Sequence, residues 1–419
     1  MSGRLLDLSR LVSRLGGGPA TGIDRVERAW LRALLARDEP LFGLVRTGAG
    51  YCLLDRAGAA RVLALTEGAA LPDRPDPVSR LSRPRDTRRA RAETAIRPHA
   101  IARALPFGLG PMLRRHLPPG TVCLNMGHSN LSRRMFSGLR AAGIPATVLI
   151  HDVIPLDHPE FCRPGIPAAF RRRMRRVAQG AALVVYNSAD TRDRAGRHFA
   201  RWGRVPPGLV AHLGTDPPAA PDPAGLPEGL DLDRPFFLVL GTIEPRKNHV
   251  FLLDVWEELA RRLPAADMPR LLIVGRRGWR TGAFAARLAA SALNGQSVLE
   301  LGGIDDGACA ALMARARALL FPSLAEGFGL PLAEAMVAGT PVICSPLPVF
   351  REIAGDYPVY LATGDVYPWA EAIAARCAAN TSRDRNPVPE KSGIPGWDDH
   401  VRVVLTRVAR TGDQTGAAG

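Results

Sequence analysis

Two glutamates, Glu326 and Glu334, stand seven intervening residues apart in the stretch PSLAEGFGLPLAEAMVAGTP, which runs over residues 322–341. The apolar run Ala318–Phe321 before them predicts a buried parallel strand. Glycines 327 and 329 predict a turn, and an apolar-rich helix is expected to start near Leu330. A strand, a glycine loop and a helix N-terminus make an anion site, because free backbone N–H groups point outward there. A carboxylate beside an anion is unfavourable unless it hydrogen-bonds a neutral group such as a hydroxyl. Phosphates and hydroxyls in one ligand describe a nucleotide sugar.

Other reactive side chains fall at expected strand ends. The segment GTIEPRKNH, residues 241–249, follows the run FFLVL. Gly241 allows a tight turn. Arg246 then offers a bidentate fork and Lys247 a point charge, and both suit a pyrophosphate. His151 and Asp152 follow the run TVLI. A histidine there is either a satisfied structural group or a ligand contact; Asp152 would orient it or cap the next turn. The loop GGGPATG, residues 16–22, follows an expected first strand over Leu5–Val12 and precedes a helix over Ile23–Ala36. Its glycines let backbone N–H groups approach a phosphate. The loop lacks the G-x-G-x-x-G spacing, so a nicotinamide cofactor is not indicated. Arg25 either reaches this site or lies on the helix surface.

These elements belong to an alternating α/β pattern, which predicts parallel sheets. Strands are expected at Thr121–Asn125, Thr147–Ile150 and Leu183–Tyr186. A second set is expected at Phe236–Leu240, Leu271–Val274, Val298–Leu301, Ala318–Phe321 and Pro341–Cys344. The Pro- and Gly-rich stretch between the sets has no periodicity and reads as a linker. The organisation expected is a first domain over 1–214, a linker over 215–235 and a second domain over 236–390. A helix over 397–410 and a disordered tail over 411–419 follow, and residues 378–396 read as a loop.

Of 419 residues, 55 are Lys or Arg and 40 Asp or Glu, a net charge of +15 with a pI near 10.7. Lys247 and Lys391 are the two lysines, so arginine supplies almost all of the positive charge. Such a ratio points to GC-rich codon usage rather than to chemistry. Positive charge concentrates over residues 80–115, including Arg88, Arg89 and Arg91, and over Arg171–Arg176. A solvated face, an anionic membrane or acceptor, and nucleic acid are competing readings. No aromatic stacking platform or nucleic-acid motif accompanies the charge, so nucleic acid is not expected as a partner. No apolar run is long enough to span a bilayer, and the N-terminus is too interrupted by charge for a secretory signal. The six cysteines are scattered, which indicates neither a disulfide framework nor a zinc site. A cytoplasmic location is the simplest expectation. Asp231 and Asp233 form an Asp-x-Asp, but they precede a strand rather than end one and read as linker. No metal site is expected.

EGFGLP, EAM and GTPVI around Glu326 and Glu334, with EPRKN around Arg246 and Lys247, closely resemble the signatures of retaining glycosyltransferases of family 4. The resemblance is strong over residues 236–356 and patchier at 8–30 and 147–190. It implies a GT-B fold, two Rossmann-like doubly wound parallel-sheet domains facing a cleft. It further implies sugar transfer from a nucleoside-diphosphate sugar, with no cofactor and no metal. His151, Glu326, Arg246 and Lys247 take the catalytic positions: the cations hold the diphosphate, and His151 and Glu326 lie near the donor sugar. Donor contacts are implied at Gly17, Gly22, Gly241, Gly303, Ile304, Gly327, Phe328, Gly329 and Leu330, with Glu334 on the ribose hydroxyls. TGIDRVE resembles enzymes of bacterial surface-polysaccharide assembly, which suggests a saccharide or lipid-linked saccharide acceptor and contact with the cytoplasmic membrane face. The resemblance does not extend to residues 37–120. A GT-B sugar-nucleotide epimerase, a phosphorylase and a non-catalytic GT-B scaffold are the alternatives. A phosphorylase normally needs a lysine for pyridoxal phosphate, and Lys391 in a loop is a poor candidate.

Overall fold

A computed structural model describes residues 3–18, 20–216, 219–378 and 393–416, with side chains given to residue 410. Lys391 and most of the loop expected at 378–396 lie outside the described residues. The chain forms two compact units. One comprises Met1–Val153, Ala168–Leu213 and Trp397–Gly419, the other Ile154–Pro167 and Gly214–Gly396.

The first unit holds an eight-stranded sheet in the order β4-β3-β2-β1-β5-β6-β7-β8. Its strands are β1 (Arg4–Asp7), β2 (Leu41–Arg46), β3 (Tyr51–Leu54), β4 (Ala100–Ala104), β5 (Val122–Asn125), β6 (Ala146–Ile150), β7 (Leu183–Tyr186) and β8 (Gly208–Val210). β1 pairs parallel with both β2 and β5. The pairings β2–β3 and β3–β4 are antiparallel, so this sheet is mixed where a parallel one was expected. The antiparallel strands come from the stretch 37–120, to which the resemblance does not extend.

The strand expected over Leu5–Val12 divides. β1 ends at Asp7, and Ser9–Arg14 is a helix, α1. Ser9 N donates to Asp7 Oδ1 at 2.9 Å, a side-chain turn that breaks the ladder although the apolar run continues. Helix α2 (Gly22–Leu35) follows, with Thr21 and Asp24 forming a reciprocal capping box, and α3 (Arg56–Thr66) packs beside it.

The last helix is Trp397–Gly416, running past Arg410 where a disordered tail was expected. It packs on α2 within the first unit. His400 Nδ1 lies 2.8 Å from the His212 carbonyl, which can only accept, so Nε2 is the bare nitrogen and receives Trp30 Nε1–H at 3.2 Å. Burial pushes His400 down to about 4, which keeps that tautomer neutral.

The second unit holds a six-stranded, all-parallel sheet in the order β11-β10-β9-β12-β13-β14. The strands are β9 (Phe236–Leu240), β10 (Arg270–Val274), β11 (Val298–Leu301), β12 (Ala318–Phe321), β13 (Val342–Cys344) and β14 (Val359–Tyr360). β9 and β12 are buried throughout, as continuous apolar runs covered on both faces must be. Their core includes Phe237, Trp256 and Trp369, each fully buried.

The stretch Ile154–Pro167 was expected in the first domain but packs with the second unit. There Trp279 Nε1 donates to Phe161 O at 2.9 Å, and Arg280 Nη1 donates to Glu160 O at 3.3 Å. Both chain orders reverse beside a central strand, at β1/β5 and at β9/β12. Ligands of doubly wound sheets bind outside the carboxyl ends of strands at such switch points.

Candidate active site

At the β9/β12 switch point, Gly241 ends β9 with φ of 129°, which only glycine adopts readily. The loop returns through a 3-10 turn over Pro245–Lys247, and Asn248, in the left-handed region, starts the next helix. After β12 the chain passes Ser323 and Glu326 and turns at Gly329 (φ 98°) into the helix Leu330–Val337.

These two loops meet in a buried ion cluster. Lys247 Nζ lies 2.5 Å from Glu326 Oε1, and Arg246 Nη1 lies 2.7 Å from Oε2. Ser323 Oγ donates to Oε1 at 3.0 Å. Arg246 also donates to Ala325 O at 3.0 Å and pairs with Glu244 at 2.7 Å. Lys247 Nζ stands 4.5 Å over the Phe321 ring, a further site for a desolvated cation. Lys247 is 8% exposed and Glu326 7%, so their attraction is weakly screened. Burial alone would raise the Glu326 pKa; Arg246 and Lys247 reverse that and bring it to about 2. Burial draws Lys247 below its ordinary value, with Glu326 opposing.

Two cations and two carboxylates balance here. Both oxygens of Glu326 therefore serve as counter-ions to Arg246 and Lys247, whereas the family resemblance implies a place near the donor sugar. An incoming diphosphate would compete with Glu326 for the same two cations. Glu334 lies half-buried in the fifth position of the Leu330–Val337 helix. Gly327 is buried and Phe328 is 4% exposed, so Phe328 packs rather than presenting its ring. Gly303 (φ 74°) and Ile304 follow β11 in an open loop. Asp231 Oδ1 accepts from Asp233 N at 2.9 Å, and Asp233 pairs with Arg315 at 2.9 Å, which places this pair in a surface turn. Among the described residues, no group of three or more His, Cys, Asp or Glu is arranged to hold a metal ion.

The first unit has its own polar cluster, at the β1/β5 switch point. His151 ends β6 and is 6% exposed. Its Nε2 lies 2.6 Å from Met126 O, so that nitrogen carries the proton. Its backbone N–H donates to His128 Nε2 at 3.1 Å, and its carbonyl accepts from Asn187 Nδ2 at 2.8 Å. Burial pushes His151 down to about 4, so at neutral pH it is an uncharged imidazole with Nδ1 free of a proton.

The β5 loop beside it is tightly held. His128 and Asn130 have φ of 57° and 53°, rare for residues with a side chain. Asn130 Nδ2 donates to Asp7 Oδ2, and Asn125 Nδ2 to Ser129 O, both at 2.8 Å.

Several residues here carry no sequence signal. Glu27 is 2% exposed, and neither carboxylate oxygen has a hydrogen-bond partner among the described residues. Arg10 Nε lies 3.8 Å away. Burial pushes Glu27 well above its ordinary value, with Arg10 opposing and Asp7 and Asp24 adding. A Cβ at Gly127 would lie 2.0 Å from Glu27 Oε1, so Gly127 is what lets the carboxyl approach. Asp24 holds Arg10 Nη1 at 2.8 Å and Arg14 Nε at 3.3 Å. That carboxylate already caps the positive end of α2. Gly17 N donates to Arg14 O at 2.9 Å, so it closes a turn, whereas the sequence aims it at a phosphate. Gly22 is the exposed first residue of α2. The Thr-x-x-Asp spacing is the one visible sign of this arrangement.

The basic segments are also partly committed. Arg88 Nη1 donates to Ser13 O and Leu15 O, and Arg91 Nε to Pro72 O. Arg89 lies 3.7 Å from buried Glu93. Arg173 and Arg176 donate to the carbonyls of His128 and Leu131. These side chains brace loops, which removes them from the free charged face expected of them. No helix among the described residues is long and apolar enough to cross a membrane.

Residues 227–384 match the sequence profile of the family described as glycosyl transferases group 1. The serotype-specific mannosyltransferase WbdA of Escherichia coli is 34% identical over 234 residues, covering 53% of this chain and 28% of WbdA. O-antigen chain mannosyltransferase B of Escherichia coli is 33% identical over 153 residues, 36% of this chain and 37% of that protein. The chain thus spans 28% of the length of WbdA. Sucrose-phosphate synthase of Thermosynechococcus elongatus superposes with a TM-score of 0.64 at 17% identity, covering 100% of both chains. Anabaena HepE in complex with UDP and glucose superposes with a TM-score of 0.59 at 15% identity, covering 100% of this chain and 99% of HepE. The chain has the GT-B fold of these proteins, and its residues 227–384 carry the sequence profile of the glycosyl transferases group 1 family.

Proposed function

We propose that this protein is a retaining glycosyltransferase. It moves a sugar, mannose in the first instance, from a nucleoside diphosphate to an acceptor hydroxyl in the assembly of a bacterial surface polysaccharide. The observation that carries the reading is the buried Arg246–Lys247–Glu326 cluster at the β9/β12 switch point. The mannosyltransferase names of the relatives support the choice of sugar.

In this reading the diphosphate displaces Glu326 from Arg246 and Lys247. The two cations then face the charge that grows as the glycosidic bond breaks. Glu326, released, is free to accept hydrogen bonds from sugar hydroxyls, and Glu334 does the same for ribose. His151, neutral with a bare Nδ1, offers a hydrogen-bond acceptor to a hydroxyl of the substrate that the first unit binds. Arg246 and Lys247 take the part that a divalent cation plays in metal-dependent transferases, so transfer is expected to need no metal. No cofactor is required. The partners are the nucleotide sugar and a saccharide or lipid-linked saccharide, on the cytoplasmic membrane face.

The test is incubation with GDP- and UDP-sugars, a mannoside acceptor and excess EDTA. Release of nucleoside diphosphate with an α-linked product is expected, and an epimerised nucleotide sugar would instead establish the epimerase. Nucleotide binding without turnover of any donor would favour the scaffold. Loss of activity on chelation, restored by magnesium or manganese, would overturn metal independence.

Membrane contact is expected from Arg171, Arg172 and Arg175, the exposed arginines of the Ile166–Gly180 helix. Each contributes about 1 kcal/mol near an anionic surface. The protein should sediment with phosphatidylglycerol vesicles at low salt and release at high salt. Replacing the three with glutamine should abolish sedimentation; an unchanged pellet would place the contact elsewhere.

A further inference from the structure

Leu81, Leu105 and Phe107 stand almost fully in water, at 84%, 73% and 84% exposed. All three belong to the stretch 37–120, to which the family resemblance does not extend. Leu81 is in a short helix, α4 (Pro77–Ser82), and the other two follow the end of β4. The β2–β3 turn brings these segments to one place. A Cβ on Gly48 would lie 2.7 Å from Ser82 Oγ, and one on Gly50 would lie 2.1 Å from Ala104 O and 3.0 Å from Leu105 Cα. Two glycines thus let the turn press between α4 and the end of β4. The frame beneath the three side chains is fixed as well. Buried Glu93 accepts from Gly48 N and from Arg83 Nε, both at 3.0 Å. Arg97 donates to Asp76 Oδ2 at 2.9 Å and to Ser79 Oγ at 2.7 Å. Single exposed apolar residues are ordinary on a protein, but a cluster of them rimmed by charge marks an interaction surface.

The surrounding charge is of one sign. Between Glu93 and Asp152 the chain has seven arginines and no acidic residue. Among the described residues, Arg97 is the one of the seven in an ion pair. Arg103 is exposed on β4, the edge strand of its sheet. Arg134, also exposed, stands 4.7 Å over the Phe107 ring. A second copy of the chain would bring the same positive surface and, at a net charge of +15, is repelled. An anionic surface is attracted, and the sheet decides which kind fits. β2 is parallel to β1, and the antiparallel pairings β2–β3 and β3–β4 return β4 to the direction of β1. Leu105 and Phe107 therefore lie at the carboxyl end of the sheet, the end that holds the β1/β5 switch point and His151. Apolar tips that project from a sheet end enter a fluid layer directly, whereas a folded partner would have to supply matching hollows.

We propose that Leu81, Leu105 and Phe107 insert into the headgroup layer of an anionic bilayer, with Arg103 and Arg134 on the lipid phosphates. Apolar side chains backed by arginine have the composition of an interfacial anchor, and guanidinium forks match phosphate oxygens in pairs. The proposal rests on the membrane contact of the reading above and deepens it. The arginines of the Ile166–Gly180 helix give an attraction that salt screens. The apolar tips give depth, and they turn the carboxyl end of the first sheet towards the lipid. A lipid-linked saccharide would then meet the polar cluster around His151 from the membrane side.

The test titrates full-length protein with phosphatidylglycerol vesicles at low salt, comparing the wild type with a double variant, Leu105→Ser and Phe107→Ser. The variant is expected to bind about tenfold more weakly or worse, because two apolar side chains no longer leave water. It should melt with the wild type, since both side chains are exposed in the fold. Phe107→Trp keeps an apolar ring there and supplies a second measurement that does not depend on the serine variant folding well. Its emission should shift to the blue on vesicle binding and be quenched by brominated lipid, in excess of the wild-type signal. Equal vesicle binding by the wild type and the double variant, or no excess quenching in Phe107→Trp, overturns the insertion and leaves the contact at the Ile166–Gly180 helix standing. A wild type that never sediments with the vesicles overturns both. A Phe107→Trp signal that responds to polyglutamate and not to vesicles assigns the surface to an acidic polypeptide. Self-association lost in the double variant, with vesicle binding unchanged, assigns it to a second copy. Either result overturns the proposal.

Discussion

Lys247→Ala is expected to lower kcat by about 10²–10³, the usual cost of removing one preorganised electrostatic contact from a reacting centre. Lys247 is buried at the end of its 3-10 turn and stands over the Phe321 ring, neither of which depends on Glu326. The ammonium therefore needs little reorganisation when a leaving diphosphate gathers charge. That charge is largest in the transition state, so kcat should suffer more than KM. Folding should suffer less than catalysis, because Arg246 still pairs with Glu326 at 2.7 Å. Steady-state rates with the best donor, beside a thermal melt, make the measurement. A variant keeping more than about a third of kcat would remove Lys247 from the chemistry, since that ratio is under ~0.7 kcal/mol. Lys247→Arg should restore charge but not the point-charge geometry at Phe321, so partial recovery is expected.

The motifs around Lys247 and Glu326 were legible separately, because each is local: a glycine turn, a strand end, a helix start. That the two side chains bind each other was not legible. Their pairing depends on β9 and β12 lying side by side, a fact of sheet order rather than of spacing. FFLVL over Phe236–Leu240 was readable to the residue because a strand buried on both faces leaves an unbroken apolar run. The first strand was misread for the same reason. Leu8, Leu11 and Val12 are also buried, but in α1 and the turn leading into it, and one Asp7–Ser9 hydrogen bond decides the change. Ile154–Pro167 was assigned to the wrong unit because its anchors, Trp279 and Arg280, are remote in sequence. Glu27 carries no local signal either: its burial depends on Gly127, a hundred residues on in the sequence, which lets the carboxyl approach. For Ile154–Pro167 and Glu27 a tertiary contact sets the placement, whereas the first strand ends on a hydrogen bond local to Asp7 and Ser9.

Glu326→Gln should expose the worth of the ion cluster through its pH dependence. The folded-state pKa of Glu326 is about 2, below its ordinary 4.5. A depressed carboxylate contributes stability that is fully present above its unfolded value and lost as pH falls towards the folded one. The wild type should therefore lose this contribution between about pH 5 and pH 2, as the unfolded chain takes up a proton that the folded chain resists. Glutamine keeps the shape and removes the charge, leaving Lys247 buried with no carboxylate on its ammonium. Breaking a buried pair in this way costs about 3–5 kcal/mol at neutral pH. Calorimetry should show the variant melting well below the wild type at pH 7, with the gap narrowing steadily as pH falls towards 3. A gap that stays constant over that range would mean that Glu326 carries no charge-dependent stability, and the cluster would be ordinary packing. Nucleoside diphosphate binding should survive in the variant, because Glu326 competes with the diphosphate for Arg246 and Lys247 rather than holding it. Sugar transfer should fall in the same protein. A variant that loses nucleotide affinity and transfer together would place Glu326 on the nucleotide itself.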